Sequence, residues 1–287
     1  MTRVLVYSHD TFGLGNIRRM IAISEALTKA DPRVNVLLIS GSPLLHAFRI
    51  PPRTDYVKLP CLARDTKGVY GVKYLDLDYD AALRLRSSLI VSAANEFEPD
   101  VVLVDKKPLG VGGELQATLD LLSARERPPR TYLVLRDILD EPQTTQAIWE
   151  HHRYHEAIAR HYSGVLIAGC ATVFDLAREY AFPTKTRAIT EYVGYLHREG
   201  GQRTREDVRS QLDLRGLPLM LVQAGGGADG TSLIETFIEG LRLHDAPFYT
   251  WIISGPEMEN TERERLRARA EALPNIRFDD FTNYMSS

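Results

Sequence analysis

A chain of 287 residues with 44% hydrophobic and 25% charged residues holds enough apolar material for a large core, which excludes a disordered or fibrous protein. Its formal net charge of -3 leaves no broad basic footprint for nucleic acid. No stretch approaches a membrane span, the apolar run in "MTRVLVYSHD" is too short for a secretory signal, and Cys61 and Cys170 lack a C-x-x-C spacing; the expectation is a cytoplasmic protein with reduced thiols and no zinc.

The chain opens with a β-branched run, "RVLV", then "YSHDTFGLGNIRRM", then a segment in which Ile17, Met20, Ile21 and Leu27 recur at helical spacing. That order reads as strand, glycine turn, helix. Further apolar runs predict strands at 34–39, 56–59, 101–104, 132–135 and 165–168. Helices are predicted at 17–29, 81–97, 114–123, 144–161 and 172–180. Such alternation predicts an α/β class with a doubly wound, Rossmann-like parallel sheet over residues 1–190. The polar passage "TEYVGYLHREGGQRTREDV" predicts an interdomain linker and first helix over 191–215. The pattern restarts with "LPLMLVQAGGGADGTSLIETFIEGL", predicting a second Rossmann-like domain over 216–287, with strands at 248–253 and 275–278 and a charged, solvated helix at 261–272. Three strands against six leave either a very small second domain or a fragment of a longer polypeptide, and the expectation is the fragment.

In "GGGADG", residues 225–230, glycines let backbone N–H groups approach an anion, and the following helix points its positive end at the same place. Phosphate is the natural ligand; a tight βα turn that binds nothing is the alternative. Leu233, Ile234, Phe237, Ile238 and Leu241 form the apolar stripe of that helix. The first glycine turn lacks the third glycine of a dinucleotide fingerprint, and no acidic residue closes the second strand, which disfavours NAD. His9 and Asp10 end the first strand, where open α/β sheets place ligands; the alternatives are a turn cap for Asp10 and a solvated loop residue for His9. Arg136 and Asp137 end the fifth strand, and Arg136 suits a phosphate or an ion pair with Asp140. His151 and His155 are four apart on one predicted helix, but no third ligand accompanies them, and no metal is expected.

In order along the chain, "YSHDTFGLGNIRR", "PDVVLVDKKPLG", "LRDILD", "EYVGYL", "GGGADG" and "ISGP" resemble the MurG-like glycosyltransferases of the GT-B fold, a group of predicted bacterial enzymes. The resemblance implies two Rossmann-like domains facing each other across a cleft, the first holding an acceptor and the second a nucleotide-sugar donor. It places Gly13 and Gly15 in a first acceptor loop and Lys106 to Gly110 in a second, with Arg136 and Asp137 also acceptor-side. Gly225, Gly226, Gly227, Asp229 and Gly230 would meet the donor diphosphate, and Gly255 would sit at the next strand end. Relatives commonly carry His where this chain has Asn16, whose amide orients a hydroxyl but takes no proton, so Asp10 or His9 becomes the candidate base.

The implied reaction moves a sugar from a nucleotide diphosphate sugar, UDP-linked, to an acceptor hydroxyl with inversion, with no cofactor besides the co-substrate. A nucleotide-sugar 2-epimerase of the same fold and a noncatalytic sugar or nucleotide binding module remain alternatives. Peripheral membrane contact and self-association through the incomplete domain are compatible with this reading.

Overall fold

A computed structural model describes residues 1–9, 14–64, 70–197, 204–214, 216–243 and 247–282 of the chain. It divides into two compact units, Met1–His197 and Arg198–Ser287.

The first unit begins with β1 (Thr2–Ser8), whose residues from Val4 onward are all buried, as a strand covered on both faces requires. α1 (Gly15–Ala30) buries Ile17, Met20, Ser24 and Thr28 at helical spacing; the two hydroxyls donate to Met20 O at 2.8 Å and Ser24 O at 3.0 Å, so their burial leaves no unsatisfied donor. β2 (Val34–Ser40) and β3 (Thr54–Lys58) follow, then an antiparallel pair that periodicity did not announce, β4 (Leu62–Arg64) with β5 (Tyr70–Val72). α2 (Tyr79–Phe97) is capped by Asp78, whose carboxylate accepts Ala81 N at 2.7 Å. β6 (Val101–Asp105), α3 (Gln116–Ser123) and β7 (Arg130–Arg136) continue the alternation.

The helix expected over 144–161 is two helices, α4 (Pro142–His151) and α5 (Tyr154–His161), separated at Arg153 with φ 53°. Trp149 and Tyr154 are five apart, about 140° around a continuous helix. The break lets both rings enter the same core, edge to face at 5.8 Å. β8 (Gly164–Ala168) then leads to α6 (Leu176–Glu179), far shorter than the helix expected there, and to α7 (Thr184–Ala188). β9 (Thr190–Tyr192) comes from the passage expected to start the linker.

The parallel strands run in the order β3-β2-β1-β6-β7-β8-β9. Alternate residues of β1 face two cores: Val4 and Val6 pack with Ile17 and Met20 of α1, while Leu5 and Tyr7 join Ile90, Leu119 and Ile158 of α2, α3 and α5. Helices therefore cover both faces, and the sheet is doubly wound.

In the second unit, α8 (Arg205–Gln211) starts with a capping box between Thr204 and Asp207. β10 (Leu219–Gln223), β11 (Tyr249–Ile253) and β12 (Ile276–Asp279) form a parallel sheet in that order, with α9 (Thr231–Leu243) and α10 (Asn260–Glu271) as crossovers. Ile234 and Ile238 of α9 and Leu266 of α10 cover one face with Val222 and Ile252; Leu212 and Leu214 cover Trp251 and Ile253 on the other. Arg265 and Arg269 of α10 pair with Glu235, which sets that helix's outer surface as a solvated charge network.

Candidate functional site

In the first unit the chain winds from β1 to β3 in one direction and from β6 to β9 in the other, so the carboxyl ends of β1 and β6 flank the point where the winding reverses. His9 follows β1 at that point and is 2% exposed. Its backbone N–H donates to Asp105 Oδ2 at 3.3 Å, which ties the end of β1 to the end of β6. Burial holds the His9 imidazole well below its ordinary range, with Lys106, Lys107, Arg86 and Arg19 adding in the same direction, so it stays neutral at pH 7. It is not the solvated loop residue of the alternative reading.

The other Asp105 oxygen receives Arg19 of α1. Burial pushes the Asp105 carboxyl upward, against the pull of the Arg19 guanidinium and the His9 amide. Arg19 also donates to Asn16 Oδ1 at 2.9 Å. One lone pair of the Asn16 amide oxygen is thereby taken, and its two N–H donors and second lone pair remain for a hydroxyl. Gly15 starts α1 beside it and is exposed. Asp10 and Gly13 lie outside the described residues.

Lys106 continues β6 in a left-handed conformation, φ 68°, while its N–H still bonds Val134 O at 3.0 Å on β7. Its ammonium is held below the usual lysine range by burial, then by Arg136 and Lys107. Lys107 donates to Tyr70 Oη of β5 at 3.2 Å. Gly110 closes the turn through its N–H to Lys107 O at 3.0 Å. Arg136, exposed at the end of β7, donates to the Leu139 carbonyl at 2.5 Å and does not make the ion pair with Asp140 that was its alternative role. Asp137 accepts from Tyr195 Oη at 2.8 Å and from Ile138 N at 2.9 Å.

Directly below lies a buried network. Arg86 of α2 makes a bidentate pair with Glu114, Tyr7 Oη donates to Glu114 Oε1 at 2.6 Å, and the Tyr7 oxygen accepts Val111 N at 3.2 Å. These bonds fix the turn between Gly110 and α3.

In the second unit, the turn at residues 225–230 stands at the carboxyl end of β10 and heads α9, the location where open sheets hold ligands. Gly227, φ 98°, lies so close to the β11 end that a Cβ there would fall 2.3 Å from Ser254 O. Gly255, φ 89°, is the reciprocal case, its Cβ falling 2.5 Å from Gly226 O. The two loops are packed backbone on backbone, and Glu257 N–H bonds Gly226 O at 2.8 Å. Gly225 and Asp229 are exposed on the turn, and Gly230 is buried at its exit. The expected donor residues are thus brought together at one strand edge.

His151 and His155 fall on separate helices, and His155 Nδ1 lies 3.1 Å from Thr186 Oγ1. Among the described residues, no group of three His, Cys, Asp or Glu side chains is arranged to hold a metal, and no helix is long and apolar enough to cross a membrane. Cys61 and Cys170 are both free.

Sequence reasoning passed over Arg19, Asp105, Tyr70, Arg86 and Glu114. Asp105 carried a readable signal, a carboxylate closing an apolar strand next to the winding reversal; the others are brought in by long-range packing.

The two Rossmann-like units define the GT-B fold, an α/β architecture of parallel sheets shared with glycosyltransferases. Among solved structures, the chain is similar to HepE from Anabaena in complex with UDP-glucose, with a TM-score of 0.56 and 13% identity over 99% of this chain and 70% of that one. It is also similar to a UGT transferase from Siraitia grosvenorii in complex with UDP (TM-score 0.54, 12% identity, 99% of this chain and 72% of that one). A third is CalG4, the calicheamicin glycosyltransferase (TM-score 0.52, 13% identity, 99% and 72%). At these identities the likeness establishes the fold. No family model matches the sequence, and no curated protein matches it.

Proposed function

We propose that the protein is a MurG-like glycosyltransferase that moves a hexose from a UDP-sugar to an acceptor hydroxyl with inversion, in the cytoplasm. The first unit takes the acceptor and the second the donor. The observation that carries this reading is the turn at residues 225–230, locked by Gly227 and Gly255 against the next strand end and heading α9, in a fold whose solved relatives include complexes with UDP and UDP-glucose.

In this reading the backbone N–H groups of Gly225 to Gly230 and the α9 N-terminus stabilise charge on the leaving diphosphate. Gly255 shapes the neighbouring loop. Asn16 orients the acceptor hydroxyl as an N–H donor, and Asp10 takes its proton. His9, buried and neutral, holds the end of β1 against Asp105. Lys106, Gly110, Arg136 and Asp137 line the acceptor side.

The test is incubation with UDP-sugars and candidate acceptors, followed by separate measurement of free UDP, glycosylated product and epimerised donor. Matched release of UDP and glycoside is the expected result. Epimer without transfer assigns the 2-epimerase reaction instead, and binding without turnover assigns a noncatalytic module.

A further inference from the structure

The carboxyl end of β3 brings an amine and a thiol into contact. In "YVKLPCL", Lys58 closes β3 and Cys61 follows three residues later, beyond Pro60. The parallel register sets Lys58 beside Ser40 of β2, and Leu59 N–H bonds Ser40 O at 2.9 Å, so the chain leaving β3 runs against Gly41. Lys58 Nζ donates to Gly41 O at 3.1 Å, to Leu59 O at 2.5 Å and to Cys61 Sγ at 3.1 Å. The thiol in turn donates to Gly41 O at 3.0 Å. Cys61 is 6% exposed, whereas Lys58 is exposed. The other cysteine, Cys170, meets the hydroxyl of Thr172 at 3.1 Å.

We propose that Lys58 and Cys61 form an oxidative modification site, at which hydrogen peroxide joins Lys58 Nζ to Cys61 Sγ in a sulfenamide that thiols reverse. In the first step the Cys61 sulfur attacks peroxide: an S–O bond forms, the O–O bond breaks, and water leaves with the thiol proton. Sulfur is oxidised by two electrons to a sulfenic acid, and peroxide is reduced. In the second step the Lys58 ammonium gives one proton to solvent, and the nitrogen lone pair attacks that sulfur. The S–N bond forms, the S–O bond breaks, and the hydroxyl departs as water with a second nitrogen proton. A sulfenic acid condenses with the nucleophile that reaches it. Burial of Cys61 keeps bulky thiols away, while the Lys58 amine is already at hydrogen-bond distance on a flexible four-carbon stem, so the partner within the chain has the advantage of proximity. The bond removes the positive charge of Lys58. It also leaves Gly41 O, which accepts from both groups in the reduced protein, with one donor at most, because the bridge retains a single N–H.

The experiment is treatment of the whole chain with hydrogen peroxide, followed by tryptic digestion and mass spectrometry without reduction. Trypsin cuts after Arg53, Lys58 and Arg64, so the untreated chain releases residues 54–58 and 59–64 as separate peptides. After peroxide the expected product holds 54–58 and 59–64 together and lacks two hydrogens, and dithiothreitol restores the separate peptides. Cys170→Ser is expected to retain this product, which distinguishes it from a disulfide between the two cysteines, a change that also removes two hydrogens. Lys58→Arg, which keeps the charge and the donors, and Cys61→Ser, which keeps a donor for Gly41 O, are each expected to abolish it. In Lys58→Arg the Cys61 sulfur should gain two oxygens as the sulfinic acid instead. Sulfinic acid at Cys61 of the parent with residues 54–58 released free, no change in either peptide, or loss of two hydrogens from the 54–64 segment of Lys58→Arg overturns the site.

Discussion

Arg86 and Glu114, each fully buried, face one another in a two-pronged ion pair, Nε to Oε2 at 2.5 Å and Nη2 to Oε1 at 2.8 Å. The remaining Arg86 nitrogen Nη1 donates to Pro60 O at 2.5 Å, so the guanidinium is satisfied on every edge. A pair of this kind contributes little net stability when complete, because desolvation offsets the attraction, but it is costly to halve.

Glu114→Ala is therefore expected to destabilise the first unit by about 3–5 kcal/mol, since it takes the bidentate carboxylate away from the buried Arg86 cation. The double replacement Arg86→Met with Glu114→Leu should recover most of that loss. Urea unfolding followed by circular dichroism measures both, and a double variant as unstable as Glu114→Ala would show that the pair's worth lies in its charge.

Two glycines of one turn should fail in different ways. Gly227→Ala drives a methyl group into Ser254 O at a φ of 98°, and a loss of at least about 2 kcal/mol from the second unit is expected. Gly225, φ 60°, has open space around its Cβ position, so Gly225→Ala should cost about 1 kcal/mol. Its methyl group would instead obstruct the approach of a phosphate, and UDP affinity should fall about tenfold or more, roughly 1.4 kcal/mol. Thermal melts set beside UDP titrations separate the two outcomes.

Acid should destabilise the protein through His9. Its folded pKa is depressed, chiefly by burial and then by the neighbouring cations, so the unfolded chain binds the proton more readily. The contribution is complete above the unfolded value of about 6.5 and is lost as pH falls below it toward the folded value. His9→Gln is expected to flatten the stability profile between pH 6.5 and the onset of carboxylate titration. Parallel profiles for variant and parent, by urea midpoint against pH, would contradict the assigned direction.

Asp10→Asn tests the proposed base. Turnover should fall by about 10²- to 10⁴-fold with UDP affinity retained, as expected for a group that acts on the acceptor proton and not on the donor. Unchanged turnover would remove Asp10 from the mechanism.

Local pattern determined a great deal here. The strands β1, β2, β6, β7, β8, β10 and β11 and the helices α1, α2, α3, α9 and α10 were legible because hydrophobic periodicity and glycine turns are set by residues near in sequence. So were both strand-end locations of the candidate sites, because the carboxyl ends of parallel strands follow from strand order alone. Tertiary structure decided the rest. The division of α4 from α5 was not readable, because it depends on Trp149 and Tyr154 sharing one core. β9 carries only three residues and becomes a strand by pairing with β8. Arg86, on a helix face that periodicity reads as ordinary, is buried because Glu114 lies 28 residues away in sequence and 2.5 Å away in space. The glycines of 225–230 were visible as a turn, but the need for Gly227 and Gly255 arises from one loop lying against the other, a contact between strands that only the folded sheet creates. Periodicity reports which surfaces are apolar; charge pairing and backbone contact across strands depend on distances that the chain acquires only on folding.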